Sequence, residues 1–271
     1  MHVVEAKGVR IPAMGVGTMT LKGEACVEIV STALTLGYRH IDTAQLYGNE
    51  REVGEGIRAS GVSREDVFLT TKVSWNRLHE FERAAEDSLA ALKCSWVDLL
   101  LIHWQGHERK VADTVKTLCT LKRKGLARNV GVANFTVAML DEAMQAADEP
   151  VINNQIEVHP FLDQTKVIAA CRRHGVSITA YCPNARGRVF GNAVLQRIGK
   201  THGKTVAQVS LRWLVQQGMI AIPRTANPAH LADNLDVFDF TLSDADMAEI
   251  AALKRPDGRV INPPHAPQWD V

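Results

Sequence analysis

The sequence predicts an α/β fold, a closed (β/α)8 or TIM barrel, and three observations lead to it. Eight short, nearly continuous apolar runs recur along the chain, each followed by apolar residues at helical spacing, the pattern of parallel strands covered on both faces. The chain has 271 residues, and a barrel of this kind typically takes about 250. No Pro-, Gly- or Ser-rich linker, low-complexity tract or short repeat interrupts the pattern, so residues 1–271 read as one domain. A doubly wound open sheet would also accommodate such units, but their count and the length favour the barrel.

In chain order, residues 3–13 alternate loosely around Gly8 and read as an N-terminal β-hairpin. The eight strands are then predicted at residues 15–18, 40–42, 67–72, 97–103, 129–133, 151–157, 177–181 and 219–222. Val27, Val30 and Leu34 stripe the first helix, which Gly37 ends in the left-handed conformation. A second helix is predicted over residues 49–60. Phe81, Ala85, Leu89 and Leu92 stripe the third, and Val111, Val115, Leu118 and Leu121 the fourth. After the barrel, residues 243–254 form one extra C-terminal helix with Ser243 as its N-cap. The tail over residues 255–271 carries four prolines and should lie irregularly over one face.

Hydrophobic residues make up 46% of the chain, enough for a large core, and 31 basic against 30 acidic residues leave a net charge of +1. That balance argues against nucleic acid or an anionic membrane as the main partner. No apolar run approaches the roughly 20 residues that span a bilayer, and Met-His-Val-Val-Glu lacks the pattern of a signal peptide, so a cytoplasmic protein is expected. Cys26, Cys94, Cys119, Cys171 and Cys182 are odd in number and scattered, which disfavours a disulfide framework or a thiolate zinc site.

Gly54-Glu-Gly56-Ile-Arg-Ala59 matches a dinucleotide fingerprint, but it lies inside a helical stretch instead of following a strand, so its glycines read as packing positions. His103, His107 and Glu108 have metal-ligand chemistry, yet the segment is a strand end entering a loop, and no metal is expected. No Gly-x-Ser-x-Gly elbow occurs. What remains is Asp42, Tyr47, Lys72 and His103, each at or just beyond the end of an apolar strand. One reading is structural: a buried lysine needs a carboxylate to stay charged, and Asp42 supplies it. The other adds a task. A Lys72 ammonium beside the Tyr47 hydroxyl should lower a pKa normally near 10 and let the phenol donate a proton, while His103 polarises a carbonyl oxygen.

At these residues the sequence resembles the aldo-keto reductases. Gly-Tyr-Arg-His-Ile-Asp-Thr-Ala with Tyr-Gly-Asn-Glu (37–50), Leu-Leu-Leu-Ile-His-Trp (99–104), Gly-Val-Ala-Asn-Phe (131–135), Asn-Gln-Ile-Glu-Val-His-Pro (154–160) and Ile-Pro-Arg-Thr (222–225) are similar to that family's ordered signatures. The likeness runs along nearly the whole chain and extends to the bacterial 2,5-diketo-D-gluconate and broad-specificity aldehyde reductases. It implies a barrel binding NADPH, with NADH as an alternative, across its C-terminal face. It also implies a catalytic tetrad of Asp42, Tyr47, Lys72 and His103, with Tyr47 as the acid. Asn134 and Gln155 then match the residues that hold the nicotinamide carboxamide, and Tyr181 the aromatic that stacks on its ring. Cys182, Asn184 and Arg186 fall in the pyrophosphate loop, and Arg224, Thr225, His230 and Asn234 in the region meeting the 2′-phosphate and adenine. Thr18, Ile222 and Asp233 complete the implied cofactor contacts.

This sequence departs from the family pattern in the pocket, where Met19 replaces an aromatic often present, and at three cofactor positions. Ala133 stands where a serine is usual, Arg224 where a lysine is common, and His230 where many NADPH-preferring members have arginine. The expected activity is reduction of a small aldehyde, ketone or keto-sugar to an alcohol by a monomeric enzyme. Met19, Tyr47, Trp75, His103 and Trp104 would line the substrate pocket, the short loop 105–110 would leave its mouth open, and Trp269 would close over it. Two other classes share some of these features: a metal-dependent barrel hydrolase, and a nicotinamide-binding regulatory subunit with little turnover.

Overall fold

The computed structural model describes residues 2–270; Met1 and Val271, the last residue of the expected tail, lie outside the described residues. Two antiparallel strands, β1 (Val3–Ala6) and β2 (Val9–Pro12), form the hairpin. Lys7 and Gly8, at φ 48° and 83°, supply the two left-handed residues that a tight hairpin turn needs. Eight parallel strands follow: β3 (Val16–Gly17), β4 (His40–Asp42), β5 (Phe68–Val73), β6 (Val97–Ile102), β7 (Ala127–Ala133), β8 (Val151–Glu157), β9 (Ser177–Tyr181) and β10 (Ile220–Ala221). They lie side by side in sequence order.

The sheet closes between its first and last strands. Ala221 N donates to Ala13 O at 2.9 Å, Gly15 N to Ala221 O at 2.9 Å, and Gly17 N to Pro223 O at 3.0 Å, making a barrel of the eight strands. At this seam β3 and β10 are two residues each, shorter than predicted, because the pairing continues as single bonds through Met14, Gly15 and Pro223.

The helices that cover the barrel are α1 (Gly23–Thr35), α2 (Glu50–Ala59), α3 (Phe81–Leu92), α4 (Val111–Arg123), α5 (Val137–Ala146) and α6 (Thr165–Arg173). Between β9 and β10 come two, α7 (Ala193–His202) and α8 (Val206–Gln216), and α9 (Ala229–Leu235) follows β10. The extra helix α10 (Asp244–Ala251) stops short of the predicted Lys254, and Ser243 caps it in a reciprocal pair with Asp246. Helix α1 buries Cys26, Ile29, Val30, Ala33 and Leu34, so its buried face is turned slightly from the predicted stripe and leaves Val27 half-buried.

The two glycines of Gly54-Glu-Gly56 are packing residues. A Cβ on Gly54 would fall 2.2 Å from Leu92 O at the end of α3, and one on Gly56 2.7 Å from Val30 Cβ of α1. Alanine at position 54 gains about 1 kcal/mol of helix propensity, but the contact it must relieve is with backbone, and overpacking of that kind costs about 1–3 kcal/mol. Gly54→Ala should therefore lower the urea midpoint; an unchanged or higher midpoint would show that α2 and α3 can move apart freely.

Inside the barrel the strands carry a polar layer. His40 is 1% exposed, its Nε2 lies 3.1 Å from Thr70 Oγ1, and its ring occupies the space a Cβ on Gly15 would fill. Asn153 donates to Ser177 Oγ and Thr179 Oγ1, both at 2.9 Å. Burial pulls the His40 pKa down to about 4. The unfolded chain protonates this histidine near pH 6.5 while the folded chain resists, so its contribution is whole above that pH and fades as the pH falls toward 4. A loss of about 3 kcal/mol is expected over that window. Chemical denaturation at pH 7.5 and 4.5 tests it: His40→Gln should flatten the acid-side decline.

Candidate active site

The barrel's C-terminal rim collects the residues where apolar strands stop. Asp42 ends β4, Lys72 is the penultimate residue of β5, His103 follows β6, Asn134 follows β7, and Tyr181 ends β9. Tyr47 sits on a single 3-10 turn, Gln45–Tyr47, closed by left-handed Gly48. Two neighbours hold that turn. Lys22 donates to the carbonyls of Tyr47 and Gly48, while the buried Asn49 side chain donates to Thr18 O at 2.8 Å and Leu21 O at 3.0 Å and accepts from Thr43 Oγ1 at 2.8 Å.

At the centre is an ion pair closed off from solvent. Lys72 Nζ lies 2.5 Å from Asp42 Oδ1, with side chains 0% and 2% exposed. Nζ also donates to Thr43 O at 2.7 Å and stands 3.5 Å from Tyr47 Oη. Gln155 Nε2 donates to the other Asp42 oxygen at 2.7 Å, and Thr18 Oγ1 to Asp42 O at 3.0 Å. Burial pulls the Lys72 pKa down, but the charge of Asp42, joined by Tyr47, outweighs it, and the pKa lies above its usual value.

Two protonation states follow. Burial raises the Tyr47 pKa and outweighs the opposing pull of Lys72. The sequence expectation of a lowered pKa is thus reversed in this structure, and the phenol keeps its proton at neutral pH. Burial also drives the His103 pKa well below 6.5, helped by the charge of Lys72 and by His265. His103 Nδ1 is enclosed without a partner, so Nε2 is the nitrogen that can face the pocket. The Tyr47 and His103 rings meet edge to face, centroids 5.6 Å apart.

The residues expected to meet a cofactor flank this centre. Asn134, held at φ 62°, donates to His103 O at 3.0 Å and accepts from Tyr181 Oη at 2.7 Å. Half-buried Tyr181 with the amides of Asn134 and Gln155 forms a surface that fits a planar ring bearing a carboxamide. Beyond β9 the backbone turns left-handed at Cys182, Ala185, Arg186 and Gly187, and Asn184 Oδ1 is buried without a partner. Such a loop, with the exposed Arg186 on it, fits a pyrophosphate. Burial raises the Cys182 thiol to about 11, so it is neutral here. Ile222 is buried against the seam. Exposed Arg224 ties its Nε to Met19 O at 3.2 Å, and buried Thr225 places Oγ1 3.3 Å from His230 Nδ1. Asn234 is buried on α9, whereas His230 and Asp233 are exposed.

The pocket mouth differs from expectation. Met19 is 40% exposed, a rim residue and not an inner wall. Trp104 is buried and Trp75 half-buried; the loop 105–110 does not leave the mouth open, because the tail packs against these rings, with Trp269 at Trp104 as expected. His265 stacks on Trp75 at 4.7 Å and meets Trp104 edge-on at 5.3 Å, and Trp269 approaches Trp104 at 6.1 Å. Sequence reasoning missed His265, which sits in a Pro-rich stretch without periodicity. It also missed Glu157, a fully buried carboxylate at a strand end, a signal of the same kind that marked Asp42.

Comparison with known proteins agrees with this geometry. The Aldo/keto reductase family profile matches residues 13–255, and the chain belongs to that family. It is an oxidoreductase that reduces carbonyl compounds with a nicotinamide cofactor. Among its relatives, the glyoxal reductase of Bacillus subtilis is 41% identical over 257 residues, covering 93% of this chain and 92% of the relative. A methylglyoxal reductase of Yersinia pestis is 40% identical, covering 96% and 99%. A crystal structure of a presumed 2,5-diketo-D-gluconic acid reductase B superposes with a TM-score of 0.97 at 45% identity, covering 100% of this chain and 98% of that one. Among the described residues no helix is long and apolar enough to cross a membrane.

Proposed function

We propose that this chain is an NADPH-dependent reductase of small aldehydes and ketones, with Tyr47 as the proton donor. The observation that carries the reading is the Tyr47 hydroxyl 3.5 Å from an ammonium that is itself buried against Asp42. When bound, the nicotinamide supplies the hydride. The chain's own residues do the rest. Asn134, Gln155 and Tyr181 would hold the carboxamide and ring, and His103, neutral, would donate from Nε2 to the substrate oxygen. Tyr47 would give its proton to that oxygen as negative charge builds there. The phenolate left behind lies beside Lys72, an attraction of about 5 kcal/mol at 3.5 Å in a medium of moderate polarity.

Preference for NADPH is supported by the juxtaposition of Arg224, Thr225 and His230, a guanidinium, a hydroxyl and an imidazole that suit a phosphate monoester. The relatives' names point to glyoxal, methylglyoxal and keto-gluconates as first substrates to try. Five free cysteines suit a reducing, cytoplasmic setting, and we take the working unit to be a single-domain monomer. The test is nicotinamide absorbance on mixing enzyme with NADPH or NADH and a panel of these dicarbonyls, simple aldehydes and keto-sugars. Turnover with a lower KM for NADPH than for NADH is expected; binding without turnover of any carbonyl would overturn the reading.

A further inference from the structure

We propose that Glu157 is a positioning residue for the substrate pocket, acting through the C-terminal segment 259–270, which it latches across the mouth. The proposal rests on the reductase reading above. Glu157 ends β8, pairs in register with Tyr181, and is 0% exposed. Its carboxylate is held by three N–H groups: Val260 N at 2.7 Å and His159 Nε2 at 2.8 Å on Oε1, and Ile261 N at 3.0 Å on Oε2. His159 Nδ1 accepts from Phe161 N at 3.3 Å, so Nε2 carries the proton and the ring need not be charged to donate. Two of the three donors are backbone groups of the tail. The carboxylate therefore grips the chain itself through its backbone, and the Arg259 guanidinium, 4.0 Å from Oε2, adds a charged side chain of the tail to that grip.

The grip begins at a point that packing already defines. A Cβ on Gly258 would fall 1.9 Å from Phe161 O, so the tail enters against the loop after β8 with no room to shift. Beyond the latch the segment folds on itself. The Arg259 guanidinium covers the Trp269 ring at 3.6 Å, and Trp269 Nε1 donates to Asn262 Oδ1 at 2.8 Å. A second clamp closes the far end, where Asp270 Oδ2 accepts from Val137 N, the first residue of α5, at 2.9 Å. Between the clamps there is no helix or strand. That unsupported span carries His265 onto Trp75 and Trp104, and Trp269 onto Trp104. The far wall of the pocket is thus placed by its two ends together with the ring and side-chain contacts between them.

Glu157→Gln keeps the shape but turns one acceptor into an amide that faces a backbone N–H. Hydrogen exchange across residues 258–270 should quicken. KM for a small dicarbonyl such as methylglyoxal should rise about tenfold, with kcat within about threefold and the NADPH Kd unchanged. Trp269→Ala should do the same, and the double variant should be no worse than the worse single, since both act through one wall. Faster exchange with unchanged KM, or additive effects, would reduce Glu157 to an anchor and overturn the proposal. Should Glu157→Gln not fold, Asp270→Ala frees the strap from its other end and must raise KM likewise; an unchanged KM there also overturns it. A wild-type enzyme that reduces no carbonyl sinks the reductase reading instead. The strap is then judged on exchange alone, where unchanged protection in the Glu157 variant overturns it.

Discussion

Tyr47→Phe is expected to lower kcat for carbonyl reduction by about 10³-fold, within the range that positioned proton donors contribute, while NADPH affinity changes by less than about twofold. The expectation follows from what the hydroxyl touches. Its oxygen stands 3.5 Å from Lys72 Nζ, and no other side chain among the described residues hydrogen-bonds to it, so removing it leaves the ion pair, the His103 ring and the cofactor surface as they were. The ring itself still meets His103 edge to face. The pH profile adds a second check. Burial holds the Tyr47 proton in place at neutral pH, so the wild-type rate should fall only on the alkaline side as that proton is lost. Single-turnover kinetics of the variant, with a rate near the wild type's, would remove Tyr47 from the chemistry.

Lys72→Met should lose activity on a similar scale and, unlike the tyrosine change, should also destabilise the fold. Asp42 is 1% exposed. With the ammonium gone it keeps Gln155 Nε2 on one oxygen at 2.7 Å and has nothing charged to balance it. Breaking a buried pair from one side costs about 3–5 kcal/mol. The double change Lys72→Met with Asp42→Leu removes both charges and should recover much of that stability without recovering turnover. Urea denaturation of the three proteins separates the two roles; if the single variant is as stable as the wild type, the pair is not the buried charge that the geometry describes.

The catalytic centre was legible because each of its parts interrupts an apolar strand. A lysine closing Val-Phe-Leu-Thr-Thr cannot be ordinary surface, and an aspartate closing His-Ile-Asp two strand positions away supplies its partner. The barrel was legible for the same reason, since buried parallel strands write themselves as apolar runs. The direction of the Tyr47 shift was not, because it depends on how deeply the phenol lies beside its ammonium, a balance of two opposing effects that spacing does not reveal. The ends of β3 and β10 were misjudged because closure is made by single bonds and not by a full ladder. That the tail lies over one face with Trp269 at the pocket was legible, but the contacts that hold it there were not. Four prolines erase periodicity, and its path is decided by contacts with Glu157, Val137 and Trp104 far away in sequence.

The seam between residues 13–17 and 221–223 bears on how the chain comes into being. Until roughly 200 further residues have left the ribosome, the first parallel strand lacks one of its two neighbours, and contacts between such distant segments are the slow ones in folding. A nascent chain therefore carries an open sheet edge at β3 through most of its synthesis, the kind of edge that recruits other chains. The hairpin of β1 and β2 pairs within residues 3–12, just ahead of β3, and so needs nothing from the far end of the barrel during that wait.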